Sequence, residues 1–382
     1  MKFTKTLALV LFFIFIFSSV FSSHALEIKE PRLEINAKSA VLMDVNTGTV
    51  LYGLNMDEKL PPASVTKVMT LLLIFEAIDD GRLRMDNMLT VSEYAASMGG
   101  SQVFLEPGEQ MCVEELIKCV VVASANDAAV TLAEAVSGSE EAFVHQMNAR
   151  AKELGMNNTS FENVTGLDDD TTNHLTSAHD IAIMSRELLK HEKIMEYTTI
   201  WMDTIRNGEF GLSNTNRLVK YYRGATGLKT GYTRGAGFCV SASAKRGDLH
   251  LIAVIMGAET SNDRNVAAAK LLDYGFATYG IYKDVNRICG EVNILRGEKR
   301  TVTTKCNDFT LLENLGNESK ITSELVLEEN LAAPITKGQT VGKVVYKIDG
   351  KTVGENPVLA NEDVCELSFA KIFVNLLKNI VS

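Results

Sequence analysis

A serine and a lysine lie three residues apart in the segment Ala63-Ser64-Val65-Thr66-Lys67. In a helix that begins near Ser64, residues three apart share one face, so the hydroxyl and the amine can meet. A serine hydroxyl is a poor nucleophile unless a base takes its proton, and a lysine becomes that base when burial or a nearby cation lowers its pKa. The pair predicts nucleophilic chemistry at Ser64, whose backbone N–H at the helix start is expected to face an oxyanion.

The Ser-x-x-Lys pattern of Ser64 and Lys67 is weak evidence by itself, and two further motifs make the prediction more specific. Ser124-Ala125-Asn126 is the only Ser-x-Asn in the chain, and Lys229-Thr230-Gly231 is the only Lys-Thr/Ser-Gly. They follow Ser64 in that order, at spacings of about 60 and 105 residues. A second Ser-x-x-Lys, at Ser368, has no such partners and falls on the polar face of a terminal helical pattern.

These three motifs resemble the active-site set of penicillin-binding proteins and serine β-lactamases. The runs PPASVTKVMT, FENVTGLDDDTTNHLTSAHDIAIMSREL and GLKTGYTRGAGFCVSASAKRG resemble the low-molecular-mass D-alanyl-D-alanine carboxypeptidases of the peptidase S11 family. The resemblance includes an export signal, a catalytic domain, a small β domain and an amphipathic C-terminal anchor, so it covers nearly the whole chain.

The resemblance implies a penicillin-binding serine carboxypeptidase that removes the terminal D-alanine from peptidoglycan pentapeptides through an acyl-enzyme. Ser64 would attack the carbonyl of the penultimate D-alanine, and Lys67 would accept its proton. Ser124 and Asn126 would shuttle the proton and hold the substrate amide. β-Lactam antibiotics are implied as inhibitors, and neither a cofactor nor a metal is expected.

The substrate-binding residues implied by the family are Lys229, Thr230, Gly231, Tyr232 and Arg264. Lys229 would polarise the site and Thr230 would bind the terminal carboxylate. The N–H of Tyr232, where many relatives carry histidine, would be the second oxyanion donor. Arg264 resembles the arginine that pairs with the substrate carboxylate, although a lone arginine is more often a surface group.

The hydrophobic patterns that surround the motifs predict an α+β domain, and the family resemblance implies that its sheet and helices have the serine β-lactamase/DD-peptidase-like arrangement. The predicted elements are a hairpin over 39–54, a buried helix over 64–78, three helical patterns over 113–154, a hairpin over 237–258 and a helix over 262–279. We expect strands from both ends of this domain to form one sheet against helices from its middle.

A different pattern follows from residue 283 to 363. Short alternating runs separated by Gly and Asn turn signals predict a small all-β domain. The domain assignment is a signal peptide over 1–25, a catalytic domain over 26–280, the β domain over 283–363 and a membrane-anchor helix over 366–382.

The two ends differ from the rest of the chain. Lys2, Lys5, an apolar run and the small residues before Leu26 are typical of a cleaved secretory signal. Residues 366–382 place their apolar side chains in one arc at 100° per residue, which predicts a helix lying in a membrane interface. The alternative is a helix docked on protein. The expected location is the outer face of the cytoplasmic membrane or the cell-wall space.

Composition excludes several classes of protein. The 382 residues are 46% hydrophobic and 23% charged, as in ordinary globular proteins, and the net charge of −10 argues against nucleic-acid binding. Loss of the signal leaves 36 of the 38 basic residues against 48 acidic ones, a net charge of −12. The six cysteines are widely scattered, without a zinc-ligand spacing, and are expected to be buried free thiols.

Three alternatives to the carboxypeptidase remain open from the sequence. A DD-endopeptidase would use the same residues on cross-linked peptides. A β-lactamase is disfavoured because no Glu-x-x-Leu-Asn pattern lies between Asn126 and Lys229. A catalytically silent wall-binding protein is disfavoured by the intact motifs. The histidines have no Ser-His-Asp or metal-binding neighbours in the sequence and are assigned structural or surface roles.

Overall fold

The computed structural model of the chain describes residues 33–169, 171–285, 287–369 and 371. The fold divides into two compact units, a first unit of Ile28–Gly280 and a second unit that contains Ile281–Ser382. The predicted signal peptide lies outside the described residues.

The helices are α1 (Lys67–Asp79), α2 (Glu93–Ala96), α3 (Val113–Lys118), α4 (Asn126–Ser137), α5 (Glu140–Glu153), α6 (Ala178–Leu188), α7 (Ile194–Thr198), α8 (Leu218–Tyr221) and α9 (Ser261–Thr278). Tight 3₁₀ turns cover Ala63–Thr66, Arg206–Gly208 and Glu318–Lys320, and a π-helical turn covers Cys119–Ala123.

The strands of the first unit are β1 (Ser39–Asp44), β2 (Val50–Leu54), β3 (Met88–Thr90), β4 (Gln110–Cys112), β5 (Met202–Ile205), β6 (Phe210–Ser213), β7 (Ala225–Thr233), β8 (Gly237–Arg246) and β9 (Leu249–Ala258). The later strands are β10 (Tyr279–Asp284), β11 (Ile288–Leu295), β12 (Thr301–Cys306), β13 (Phe309–Asn314), β14 (Thr322–Leu327), β15 (Leu331–Ala332), β16 (Thr340–Ile348) and β17 (Lys351–Ala360).

A five-stranded antiparallel sheet forms the centre of the first unit, in the order β2-β1-β9-β8-β7. It joins strands from both ends of this unit, which confirms the predicted arrangement and both predicted hairpins. In the register, Lys229 on β7 pairs with Ser241 on β8, and Ser241 pairs with Val254 on β9. Strand β7, which carries one of the motifs, is therefore at an edge of the sheet.

Helices cover both faces of this sheet. Because successive side chains along a strand point to opposite faces, Leu42 and Met43 lie on different sides of β1. Leu42 faces α9, where a Cβ atom at Gly275 would lie 3.1 Å from it. Met43 instead joins the large core formed with α1 and α6. The sheet is thus buried on both sides.

Helix α1 is almost entirely buried, as its apolar sequence predicts. It begins at Lys67, directly after the 3₁₀ turn that contains Ser64. The helices predicted over 113–154 are also confirmed, and the chain leaves α4 at Gly138, whose φ of 83° favours glycine.

The second unit is built on a six-stranded sheet in the order β14-β16-β17-β12-β11-β15, and β10 pairs with β13. All pairs in the six-stranded sheet are antiparallel except β11 with β15. Its core includes Tyr346, whose ring stacks on that of Phe309 at 4.1 Å between centroids. The predicted all-β character of this region is confirmed.

Two expectations for this part of the chain need correction. Cys289 and Cys306, on neighbouring strands, form a disulfide, so the expectation of free thiols is wrong for this pair. Register explains the pairing, because Ile288 lies opposite Lys305 and brings the two sulfur atoms together. Glu366, predicted as helical, instead forms a β-bridge with Gly297. Most of the predicted anchor helix, from residue 372 onward, lies outside the described residues.

Candidate active site

The first predicted pair meets as expected. Ser64 lies in the turn that leads into α1, and the Lys67 Nζ is 3.0 Å from the Ser64 Oγ. The same Nζ donates a hydrogen bond of 2.8 Å to the backbone oxygen of Thr165. Sequence reasoning missed this acceptor, which comes from a loop 98 residues away and carries no catalytic signal of its own. It orients the amine toward the serine hydroxyl.

The surroundings of Lys67 favour its neutral form. The side chain is fully buried, and loss of solvation is the largest cause that lowers its pKa well below the usual range. The positive charge of Lys229 lowers it further, while the carboxylate of Asp127 acts in the opposite direction. A neutral amine with its lone pair near Ser64 can act as a general base.

The second motif lies in a sharp break between two helical segments. Ser124 adopts a left-handed conformation with φ of 64°, and among the described residues its hydroxyl makes no hydrogen bond. The Asn126 side chain donates a hydrogen bond of 2.7 Å to the backbone oxygen of Gly99, and the Asn126 backbone N–H donates one to the backbone oxygen of Ser101. Its Oδ1 is buried without a partner in the part of the chain that the structure describes. A buried acceptor of this kind is ready for an N–H donor from a substrate.

The third motif places two polar side chains on β7. Burial, and then the charge of Arg264, lowers the pKa of Lys229 to about 7. The Thr230 hydroxyl donates a hydrogen bond of 2.7 Å to the Thr215 hydroxyl, and the Thr215 backbone N–H donates one to the backbone oxygen of Val122. Because Val122 lies just before Ser124, Thr215 connects the second motif with the third.

A pair of arginines extends this cationic region. Arg264 is buried in the first turn of α9, with its guanidinium 5.9 Å from the centre of the Phe238 ring. Burial lowers the pKa of Arg264 to about 10, and the charge of Arg217 lowers it as well. The sequence analysis did not identify Arg217, which follows the polar turn before β7. Arg264, whose charge acts on Lys229, can bind a carboxylate, and the exposed Arg217 adds positive charge next to Arg264.

Gly231 and Tyr232 complete the edge of the site. A Cβ atom at Gly231 would lie 2.9 Å from the Ser64 backbone nitrogen, so β7 passes directly beside Ser64. Tyr232 is 57% exposed, and its ring packs against that of Phe238 at 4.3 Å between centroids, tilted by 30°. Among the described residues no cluster of His, Cys, Asp and Glu could hold a metal ion.

Comparisons with known proteins agree with this geometry. Residues 25–260 match the family Peptidase_S11, described as D-alanyl-D-alanine carboxypeptidase. Residues 276–366 match PBP5_C, the C-terminal domain of penicillin-binding protein 5. The chain is 47% identical to the D-alanyl-D-alanine carboxypeptidase DacF of Bacillus subtilis, over 87% of each chain.

Solved structures show the same fold. Penicillin-binding protein 5 of Haemophilus influenzae superposes with a TM-score of 0.78 at 33% identity, covering 88% of this chain and 100% of that one. Penicillin-binding protein D2 of Listeria monocytogenes, solved with ampicillin bound, gives 0.57 at 33% identity, over 65% of this chain and 100% of that one. The fold is therefore that of penicillin-binding proteins, with a DD-peptidase domain followed by a β domain.

Proposed function

The chain belongs to the Peptidase_S11 family of D-alanyl-D-alanine carboxypeptidases, and from that membership we propose that it removes the terminal D-alanine of peptidoglycan stem peptides through an acyl-enzyme on Ser64. The observation that carries the proposal is the buried Lys67 amine, 3.0 Å from the Ser64 hydroxyl and with its pKa well below the usual range. Residues 26–280 form the catalytic domain in this assignment, and residues 283–363 form the β domain.

Acylation follows from this pair. The Ser64 Oγ attacks the carbonyl carbon of the penultimate D-alanine while its proton passes to the Lys67 Nζ. The bond to the terminal D-alanine then breaks, and in our assignment the leaving amine takes the proton from Lys67 through the Ser124 hydroxyl. Water next attacks the Ser64 ester and releases the shortened peptide.

The oxyanion of each tetrahedral intermediate needs two donors. We assign the backbone N–H of Ser64 and that of Tyr232 to this role, with Gly231 allowing β7 to approach the serine. Because the second donor is a backbone group, tyrosine at position 232 can serve as well as the histidine of many relatives.

The substrate carboxylate requires a cationic subsite. Lys229, Thr230 and Arg264 are assigned to it, and the buried Oδ1 of Asn126 is assigned to the substrate amide. Burial of Lys229 and Arg264 supports the assignment, since a carboxylate gains most from cations that water does not screen.

Export and membrane attachment rest on the sequence patterns of residues 1–25 and 366–382. We assign the protein to the outer face of the cytoplasmic membrane, with the terminal helix in the lipid interface. Within the described residues no helix is both long and apolar enough to cross a bilayer.

Labelling with a fluorescent penicillin tests the nucleophile. The wild-type protein is expected to form a stable adduct and to release D-alanine from diacetyl-Lys-D-Ala-D-Ala, and Ser64→Ala to do neither. Ser368→Ala is the matched control, because it removes the serine of the other Ser-x-x-Lys copy and should label normally. A labelled Ser64→Ala protein would refute the assignment, and fast nitrocefin turnover would favour a β-lactamase.

A further inference from the structure

A chain of hydrogen bonds connects a distant histidine to the peptide group that precedes the nucleophile. The Thr66 Oγ1 lies 2.8 Å from the Ala63 oxygen and 2.8 Å from the His174 Nε2. We propose that His174, acting through the Thr66 hydroxyl, is a positioning residue that orients and polarises the Ala63–Ser64 peptide group for the oxyanion. The proposal rests on Ser64 being the nucleophile.

The direction of each hydrogen bond follows from what each atom can do. A carbonyl oxygen only accepts, so the Thr66 hydroxyl must donate its proton to Ala63. Its oxygen must then accept from His174, which places the ring proton on Nε2. The other ring nitrogen, Nδ1, accepts from the Glu162 N–H at 3.0 Å. Both ring nitrogens are satisfied only in this neutral tautomer.

Burial keeps His174 in that form. The ring is 5% exposed and packs edge-on to Phe161 at 5.7 Å between centroids. Loss of solvation lowers the pKa of His174 to about 4, against the raising effect of Glu162 and Asp168. The imidazole is therefore neutral at pH 7 and can hold both hydrogen bonds.

The Ala63 carbonyl is tightly enclosed. A Cβ atom at Gly166, where φ is 83°, would lie 1.8 Å from the Ala63 oxygen and 2.8 Å from the Thr66 hydroxyl. The loop backbone therefore covers this carbonyl. Ala63 itself has a φ of 48°, a left-handed conformation that a non-glycine residue keeps only when its surroundings hold it. The histidine thus acts on a peptide group in an unusual orientation.

The effect on catalysis is selective for the transition state. A hydrogen bond to the carbonyl of an amide makes the N–H of the same amide a better donor, since hydrogen-bonded groups polarise one another. When the oxyanion forms, the Ser64 N–H donates more strongly and the Ala63 oxygen becomes more negative. The bond from Thr66 then strengthens, so it stabilises the transition state more than the bound substrate.

Four variants separate this role from a structural one. Thr66→Val removes the hydroxyl at nearly constant volume, and Thr66→Ser keeps it. His174→Phe removes the donor, and His174→Gln keeps an N–H near the position of Nε2. For each variant, kcat and KM for D-alanine release are measured, and kcat is divided by the number of sites that a penicillin labels at completion. Misfolded molecules are thereby excluded from the rate.

We expect Thr66→Val and His174→Phe to lower kcat per labelled site roughly tenfold, with KM within about twofold of wild type. Thr66→Ser and His174→Gln should recover most of the loss. The matched control is Thr70→Val, which removes another buried hydroxyl that binds the same loop, at the Val164 oxygen, 2.7 Å away. It should reduce thermal stability without changing kcat per site.

Three results would overturn the proposal. They are an unchanged kcat per site in Thr66→Val, an equal loss in Thr66→Ser, or an equal loss in Thr70→Val. Failure of the nucleophile assignment is a separate outcome, because it is detected by penicillin labelling of Ser64→Ala.

Discussion

Gly231 passes so close to Ser64 that a side chain at position 231 would place its Cβ atom 2.9 Å from the Ser64 backbone nitrogen and 2.8 Å from the Pro62 oxygen. Both atoms belong to the backbone, which cannot rotate away as a flexible side chain can. Gly231 is thus required by the close approach of β7 to the turn that presents the nucleophile.

Gly231→Ala is accordingly expected to separate β7 from the turn by several tenths of an ångström and to misplace the oxyanion donors. The acylation rate with a fluorescent penicillin should fall about 100-fold. Gly211→Ala is the control, because within the described part of the chain no atom beyond its two chain neighbours lies within 4 Å of the added Cβ. Equal acylation rates in the two variants would contradict the required close approach.

The charge of Lys229 should shift the pH at which acylation begins, in addition to the larger effect that burial has on the pKa of Lys67. Lys67 must be neutral to accept a proton, so the rate should rise with pH through the pKa of Lys67. Lys229 lowers that pKa. In Lys229→Gln the repulsion is lost, the pKa of Lys67 rises, and the acid limb of the pH–rate profile moves to higher pH. The control is Lys193→Gln, at an exposed position, which should leave the acid limb of the profile in place. An acid limb that does not move in Lys229→Gln would contradict the interaction between Lys229 and Lys67.

Recognition of the substrate carboxylate can be measured with a peptide whose terminal D-alanine is an amide. In the wild-type protein the amide should reduce kcat/KM roughly 10- to 100-fold, as expected for loss of a charged hydrogen bond. Arg264→Gln should shrink this ratio, because one cation of the subsite is already missing. The surface substitution Arg82→Gln should leave the acid-to-amide ratio of kcat/KM unchanged. If Arg264→Gln kept the wild-type ratio, the role assigned to Arg264 would be refuted.

The disulfide should stabilise only the second unit. It joins two cysteines that are 17 positions apart in the sequence. Replacing both with serine should reduce the free energy of unfolding of that unit by about 3 kcal/mol. Calorimetry would detect the shift, and acylation of Ser64 below the transition should be unchanged. Cys365→Ser, at an exposed free thiol, is the control. A loss of acylation in the folded double variant would contradict the expectation that the disulfide stabilises only the second unit.

Much of the site was predictable because its motifs are local. Ser64 and Lys67 meet through the three-residue spacing of a helical turn, and the break at Ser124 is visible as polar residues between two apolar runs. Apolar runs on either side of a turn signal predicted the hairpins. The disulfide was not predictable, because the pairing of two scattered cysteines depends on the register of β11 and β12.

Residue types and short spacings in the chain were sufficient to identify the family, and to propose Ser64 as the nucleophile and Lys67 as its base. Only the tertiary structure identified three groups that act on the site residues. Thr165 hydrogen-bonds Lys67, and His174 hydrogen-bonds Thr66. The charge of Arg217 acts on Arg264. The physical reason is distance along the chain. A hydrogen bond or a charge contact between residues 98 or 108 positions apart has no periodic signature, because it exists only after packing buries both partners and removes the competing water.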